Sequence, residues 1–224
     1  MGSAQTGYNE AKINTAIGVV QAEQNNVMTV LTNSINAIQK EMKDNWGTQK
    51  AVDWVAGDYK TAVTKLGADV AETLAKIGQV IQQVAAAQAA DTGNTVSIDS
   101  AGTPTLGDIT TDMFNALDSG KGYVGIYKEL KPNVEAKGNE LVSNVKEALA
   151  RLQTRIVEEL NQAFNKEGEA DKVSAHATIY INKVIDIVQK GVDSLKSQLD
   201  EQIQGVETFE HSIQDAGLRG AQGS

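Results

Sequence analysis

The residues in this chain whose types could do chemistry are few, and their spacing argues against most of it. The two histidines, His176 and His211, lie 35 positions apart in one helical stretch. At about 1.5 Å per residue that is roughly 50 Å, so they cannot share a metal within one chain. Asp91-Thr92-Gly93 matches the short signature of aspartic proteases. That chemistry needs two such aspartates sharing one proton, in facing lobes built of strands. Here the triplet occurs once and follows a helical pattern, where Asp, Thr and Gly also suit a helix exit and turn. Ser119-Gly120-Lys121-Gly122 falls short of a phosphate loop. Asn115 stands where the leading glycine belongs, and Gly122 where Ser or Thr must follow the lysine. The acidic cluster Glu167, Glu169, Asp171 lacks the ligand spacing of a calcium loop. Near a helix start these charges favour the helix dipole, as do Asp53 and Asp58. There is no cysteine, which removes disulfides, thiolate metal sites and cysteine nucleophiles. The expectation is a non-enzyme with no catalytic residue, no cofactor-binding residue and no metal site.

The elements that would position any site are helical. Apolar residues recur at steps of three and four from Ile13 through Ile17, Val20, Val27, Leu31, Ile35 and Ile38 to Met42. They resume at Val55 and Tyr59 and continue to Ile81 and Val84. One apolar stripe on each stretch predicts helices over residues 9–43 and 48–90, folded back at Trp46-Gly47. Glycine permits the backbone angles of a sharp reversal. Trp46 would close the apolar seam there, with its indole N–H at the solvent edge. A third helix is expected over 127–165, with Pro132 as a candidate break, and a fourth over 170–213. Residues 91–125 are rich in Thr, Ser, Gly and Asp. Within them, 95–99 alternates like a short strand, and 106–117 reads as a short helix capped by Asp108. Residues 216–224 hold three glycines and read as a loose tail.

The fold class expected is all-α: an elongated bundle of two antiparallel helical hairpins (9–90 and 126–215) joined by a short irregular, partly β middle segment. A shift of 118 residues lays Val27 on Val145, Leu31 on Leu149, Ile38 on Ile156, Trp46 on Phe164 and Val55 on Val173. Two heptad patterns brought into phase supply most of these matches. The coincidence of both corners, each with an aromatic residue, suggests an internal duplication.

Bulk composition narrows the partners. The chain has 224 residues, of which 41% are hydrophobic and only 4% aromatic, so its core is mostly Val, Ile, Leu and Ala. Both prolines, Pro104 and Pro132, lie outside the periodic stretches, as helix interiors require. Net charge is −9 without a Lys/Arg cluster. Nucleic acid and anionic membrane surfaces are therefore poor partners. The longest uninterrupted apolar run is about four residues, far below the roughly 20 of a membrane helix. Residues 1–9 carry neither the basic start nor the apolar stretch of a secretory signal.

Trp46 and Gly47, followed by Ala51, Trp54 and Tyr59, carry a resemblance. Over residues 9–90, about 40% of the chain, the sequence resembles the Trp-X-Gly, early secreted antigen-like helical-hairpin family of type VII secretion systems. Ala51 and Trp54 fall where that family has its alanine and its aromatic residue. The resemblance implies two antiparallel helices and a dimerising, non-enzymatic protein, secreted or assembling with secreted partners. Two features depart from the family. Glycine follows the tryptophan directly, and the family's export signal, a tyrosine four residues before an acid, has only His211 and Asp215 as its nearest match. The expected partner is a second copy or a related helical protein, with no transmembrane segment. The expected location is secreted or within an extracellular or virion assembly, although nothing in the sequence separates this from the cytoplasm. The alternative reading is a structural subunit of a phage virion or cell-surface assembly. An α-helical pore former ranks below both, because residues 91–125 are too polar to enter a bilayer. The turn and interaction residues expected are Trp46, Gly47, Ala51, Trp54, Tyr59, Phe164 and Val173.

Overall fold

The first two helices begin where a side chain satisfies a free N–H group of the first turn. The computed structural model describes residues 9–92, 97–111, 128–164 and 168–222. Asn9 Oδ1 accepts from the Lys12 N–H at 3.1 Å and opens α1 (Glu10–Asn45). Trp46 ends α1 in an extended conformation, and the Thr48 hydroxyl then caps α2 (Gln49–Trp54) by accepting from Ala51 N at 3.2 Å. A π turn over Val55–Tyr59 passes straight into α3 (Lys60–Thr92). The second hairpin is α4 (Leu130–Ala163) and α5 (Glu169–Gln222). Gly168, with φ +80° at the turn before α5, takes a left-handed conformation that side chains resist.

Three expectations need correction. Pro132 does not break α4. It sits in the first turn, where a missing N–H costs no helical hydrogen bond. Residues 106–111 are not helical, and 97–99 form no strand ladder; the remainder of both expected elements lies outside the described residues. The reason is distance: this segment spans a length that a helix of so few residues could not cover. Finally, α5 continues through Gln222, past the point where the glycines suggest a loose tail.

The helices form one four-helix bundle. In the first hairpin α1 and α3 run antiparallel, joined by Gln24 Nε2 donating to Leu74 O at 2.7 Å and the Tyr59 hydroxyl donating to Ile35 O at 3.0 Å. In the second, Gln153 Nε2 donates to Thr178 at 3.1 Å and Lys196 Nζ to Asn139 at 2.8 Å. The hairpins pack on each other, α1 on α4 and α3 on α5. Asn9 N donates to Ala163 O at 2.9 Å, and Asn133 Nδ2 to Glu41 Oε2 at 3.0 Å at the other end, so α1 and α4 are also antiparallel. A single apolar core, from Ile13 to Leu199, threads all four long helices.

This arrangement puts the end of α3 and the start of α4 at opposite ends of the bundle. The connection must cross its whole length. Residues 97–111 do so as an extended strap in the groove between α1 and α3. From Asn14 to Asn36, α1 rises about 33 Å. The strap covers the same distance from Ser97 to Asp108, about 36 Å of extended chain. Gly67 and Gly78 of α3 are buried under it. A Cβ at Gly78 would stand 2.4 Å from the Ala101 Cβ, and one at Gly67 2.5 Å from Leu106 Cδ2. Gly18, by contrast, has open space around it.

Gly18→Ala should therefore stabilise the protein by about 0.5–1 kcal/mol through helix propensity. Gly78→Ala should lose that gain and more, because the strap must shift. Urea unfolding of both variants checks this; equal gains would mean that the strap does not press on α3.

Candidate functional site

Two constructions stand out on α1: an aromatic corner at its C-terminal end and the polar face that holds the strap. At the corner, Trp46, Ala51, Trp54 and Tyr59 are all buried. The Trp46 and Trp54 rings lie 5.9 Å apart, and those of Trp54 and Tyr59 5.7 Å apart, within the range of favourable aromatic pairs. Residues five apart do not share a face of an α-helix. The π turn over Val55–Tyr59 adds the extra residue that brings Tyr59 under Trp54. Gly57 in that turn is the only sequence signal of it, and periodicity reading misses it. The Trp46 indole N–H is not at the solvent edge. Nε1 is buried with no acceptor among the described residues, so the ring acts through its apolar area. Gly47 is buried beside it.

Phe164 and Val173 are buried in the same core but at the opposite end of the bundle, because α1 and α4 are antiparallel. The structure thus divides the seven expected residues between two corners. Of the residues considered for chemistry, His176 is exposed on α5 with Nδ1 2.9 Å from Lys172 O. Glu169 pairs with Lys172 at 3.1 Å, and Asp53 accepts from Gln49 at 2.9 Å. Gly93, residues 119–122 and Glu167 lie outside the described residues. Among the described residues no group of three or more His, Cys, Asp or Glu is placed to hold a metal ion. None of the described helices is long and apolar enough to cross a membrane.

The polar face of α1 is the more specific construction. Asn14 Nδ2 donates to Ser97 O at 3.1 Å while its Oδ1 accepts from Asp99 N at 3.0 Å. Asn36 repeats the pattern, donating to Asp108 O at 3.1 Å and accepting from Thr110 N at 2.9 Å. Each amide bonds residues i and i+2 of the strap, as one residue of a parallel neighbouring strand would. Between them, Thr32 Oγ1 donates to Met28 O at 2.8 Å and accepts from Gly107 N at 3.0 Å. From α3, Gln82 donates to Asp99 O. Pro104 is buried, and Ile98, Ala101, Leu106 and Ile109 are half-buried against the core. Past Thr110 the groove opens into a cavity of about 430 Å³ bordered by Asn36, Lys40 and Lys43. The sequence reading missed these residues. Their signal was spacing: Asn14 and Asn36 are six helical turns apart and share one face.

Comparison of the chain with protein-family models, with curated proteins and with solved structures gave no match.

Burial holds the Tyr59 phenol above its ordinary value of 10.0, so ionisation favours the unfolded chain. Its contribution to stability is complete below pH 10 and is lost as pH rises above it. Tyr59→Phe should cost about 1 kcal/mol at neutral pH by removing the bond to Ile35 O. It should also flatten the loss of stability above about pH 10. Urea unfolding at neutral and alkaline pH checks both, and an unchanged alkaline slope would contradict the assignment.

Proposed function

We propose that the chain is a non-enzymatic helical interaction protein that associates with a second copy through the C-terminal end of α5, residues 200–222. The observation that carries this reading is a mismatch of lengths. Helix α5 has 54 residues and α4 has 34. Lys131 pairs with Asp200 at 3.0 Å, which fixes the register at the start of α4. From Asp200 to Gln222, α5 runs on for about 33 Å. Gly205 still sits beside Lys50, but Gln204, Gly205, Glu207 and Thr208 are exposed. A helix end of this length holds in water only by packing. The sequence nevertheless keeps apolar residues at helical spacing here: Ile203, Val206, Phe209 and Ile213. That pattern favours a helical partner, and a second copy supplies one by symmetry.

The antiparallel first hairpin, with Trp46 at its turn, supports the resemblance to the type VII hairpin family and, through it, secretion by a similar route. The face by which a lone hairpin of that kind would dimerise is covered in this chain by α4 and α5. Association is therefore moved to the projecting helix. The second reading, a structural subunit of a virion or cell-surface assembly, draws on the same projection, which can link one rod-like body to the next.

Light scattering across a concentration series tests the proposal on the full chain and on one ending at Gln204. The full chain should associate, and the shortened chain should stay monomeric with an unchanged melting temperature. A small dimer favours the interaction protein, and large rings or filaments favour the structural subunit. Equal monomer masses for both chains would refute the proposal.

A further inference from the structure

The groove between α1 and α3 holds residues 97–111 as a binding protein holds a peptide. We propose that it is a recognition site for an extended polypeptide, whose ligand in trans is the same segment of a second copy. The inference rests on the interaction-protein reading and names a further mode of contact for it.

The groove recognises backbone. Asn14 and Asn36 each bond a carbonyl and an N–H two residues apart, Thr32 takes the Gly107 N–H, and Gln82 donates to the Asp99 carbonyl. A connection that only had to cross the bundle would need length but no register. Here register is set twice, on two different helices. The forks are 22 residues apart on α1 and 11 apart on the strap. On α3 the notches at Gly67 and Gly78, 11 residues apart, receive Leu106 and Ala101, five apart. Both ratios match the roughly 2.2-fold difference between the rises of extended chain and helix. The strap runs parallel to α1 and antiparallel to α3, so the two rulers agree in direction.

The notches add side-chain selection. The Ala101 Cβ occupies the place where a side chain of α3 would stand, and Leu106 fills the second gap. Backbone bonds for affinity and small pockets for specificity are the logic of strand-type peptide recognition. Nothing in these contacts depends on the strap being joined to its own helices. The same segment from another copy would make every one of them. In the folded monomer the tethered segment competes at an effective concentration in the millimolar range, so the trans site opens only when the strap lifts.

The test uses a fluorescein-labelled peptide of residues 97–111 and the full chain with those residues replaced by a Gly/Ser segment of equal length. Anisotropy should show saturable one-to-one binding. Asn14→Ala with Asn36→Ala in this host should weaken it by about tenfold or more. A peptide carrying A101W should also bind more weakly, because the Gly78 notch has no room for it. A Gly/Ser chain that keeps its helical circular dichroism but binds no peptide would overturn the proposal. Should that chain fail to fold, the wild-type protein serves, with unlabelled peptide added to several millimolar, about the tethered effective concentration. Hydrogen exchange at the Asp99, Gly107 and Thr110 amides of its own strap should then quicken, and unchanged exchange would overturn the proposal. The two readings fail separately. Peptide binding by a protein that stays monomeric sinks only the α5 proposal. Association through α5 without peptide binding sinks only this one.

Discussion

The constraint on which the structure depends is topological. Helix α3 ends beside the start of α1, and α4 begins beside the end of α1. A connection between them cannot be short. It has to cross the bundle, and the groove between α1 and α3 is the surface it uses. Helix α1 is consequently covered by α3, by α4 and by the strap. This explains why α1 buries polar as well as apolar residues, Gln24, Thr32 and Gln39 among them. A polar group removed from water needs a partner, and the strap backbone supplies one for Thr32. Gln24 spends its amide on the Leu74 carbonyl of α3.

The ends of the bundle answer to the same constraint. At one end the Trp46–Trp54–Tyr59 stack closes the apolar core, and the Tyr59 hydroxyl reaches back to α1. At the other, Phe164 and Val173 do so with smaller means, around the left-handed Gly168. Both hairpins are antiparallel pairs, which fits the repeat suggested by the 118-residue shift. Their corners point in opposite directions because the hairpins pack head to tail. The strap belongs to neither hairpin and gives the first one a polar groove.

Much of the fold was legible in the sequence for a simple reason. Val, Ile and Leu at steps of three and four can be satisfied only by helices facing other helices, and the residues of those stripes from Ile13 to Ile81 are buried, with Val84 half-buried against the core. The strap was not legible, because its residues serve the backbone rather than a period. Ser97, Gly102, Thr103 and Gly107 read as an irregular polar stretch, and the spacing from Leu106 reads as helical until the distance to be crossed is known. The forks were hidden for a related cause. Asn14 and Asn36 sit on an apparently solvent-facing side, and only a partner distant in sequence turns that side into a surface with a register. The π turn was invisible because one extra residue in a helix leaves the apolar spacing nearly intact.

The central claim is that the two asparagine forks clamp the strap, and through it the order of the helices. The most direct test is urea unfolding of Asn14→Ala, Asn36→Ala and the double variant. Each single change removes two hydrogen bonds at exposed strap groups that can turn to water, and should cost about 0.5–1.5 kcal/mol. The double change should cost less than the sum, since a strap released at one end gains little from the other. Losses within about 0.5 kcal/mol of zero, the range of an ordinary surface substitution, would contradict the account.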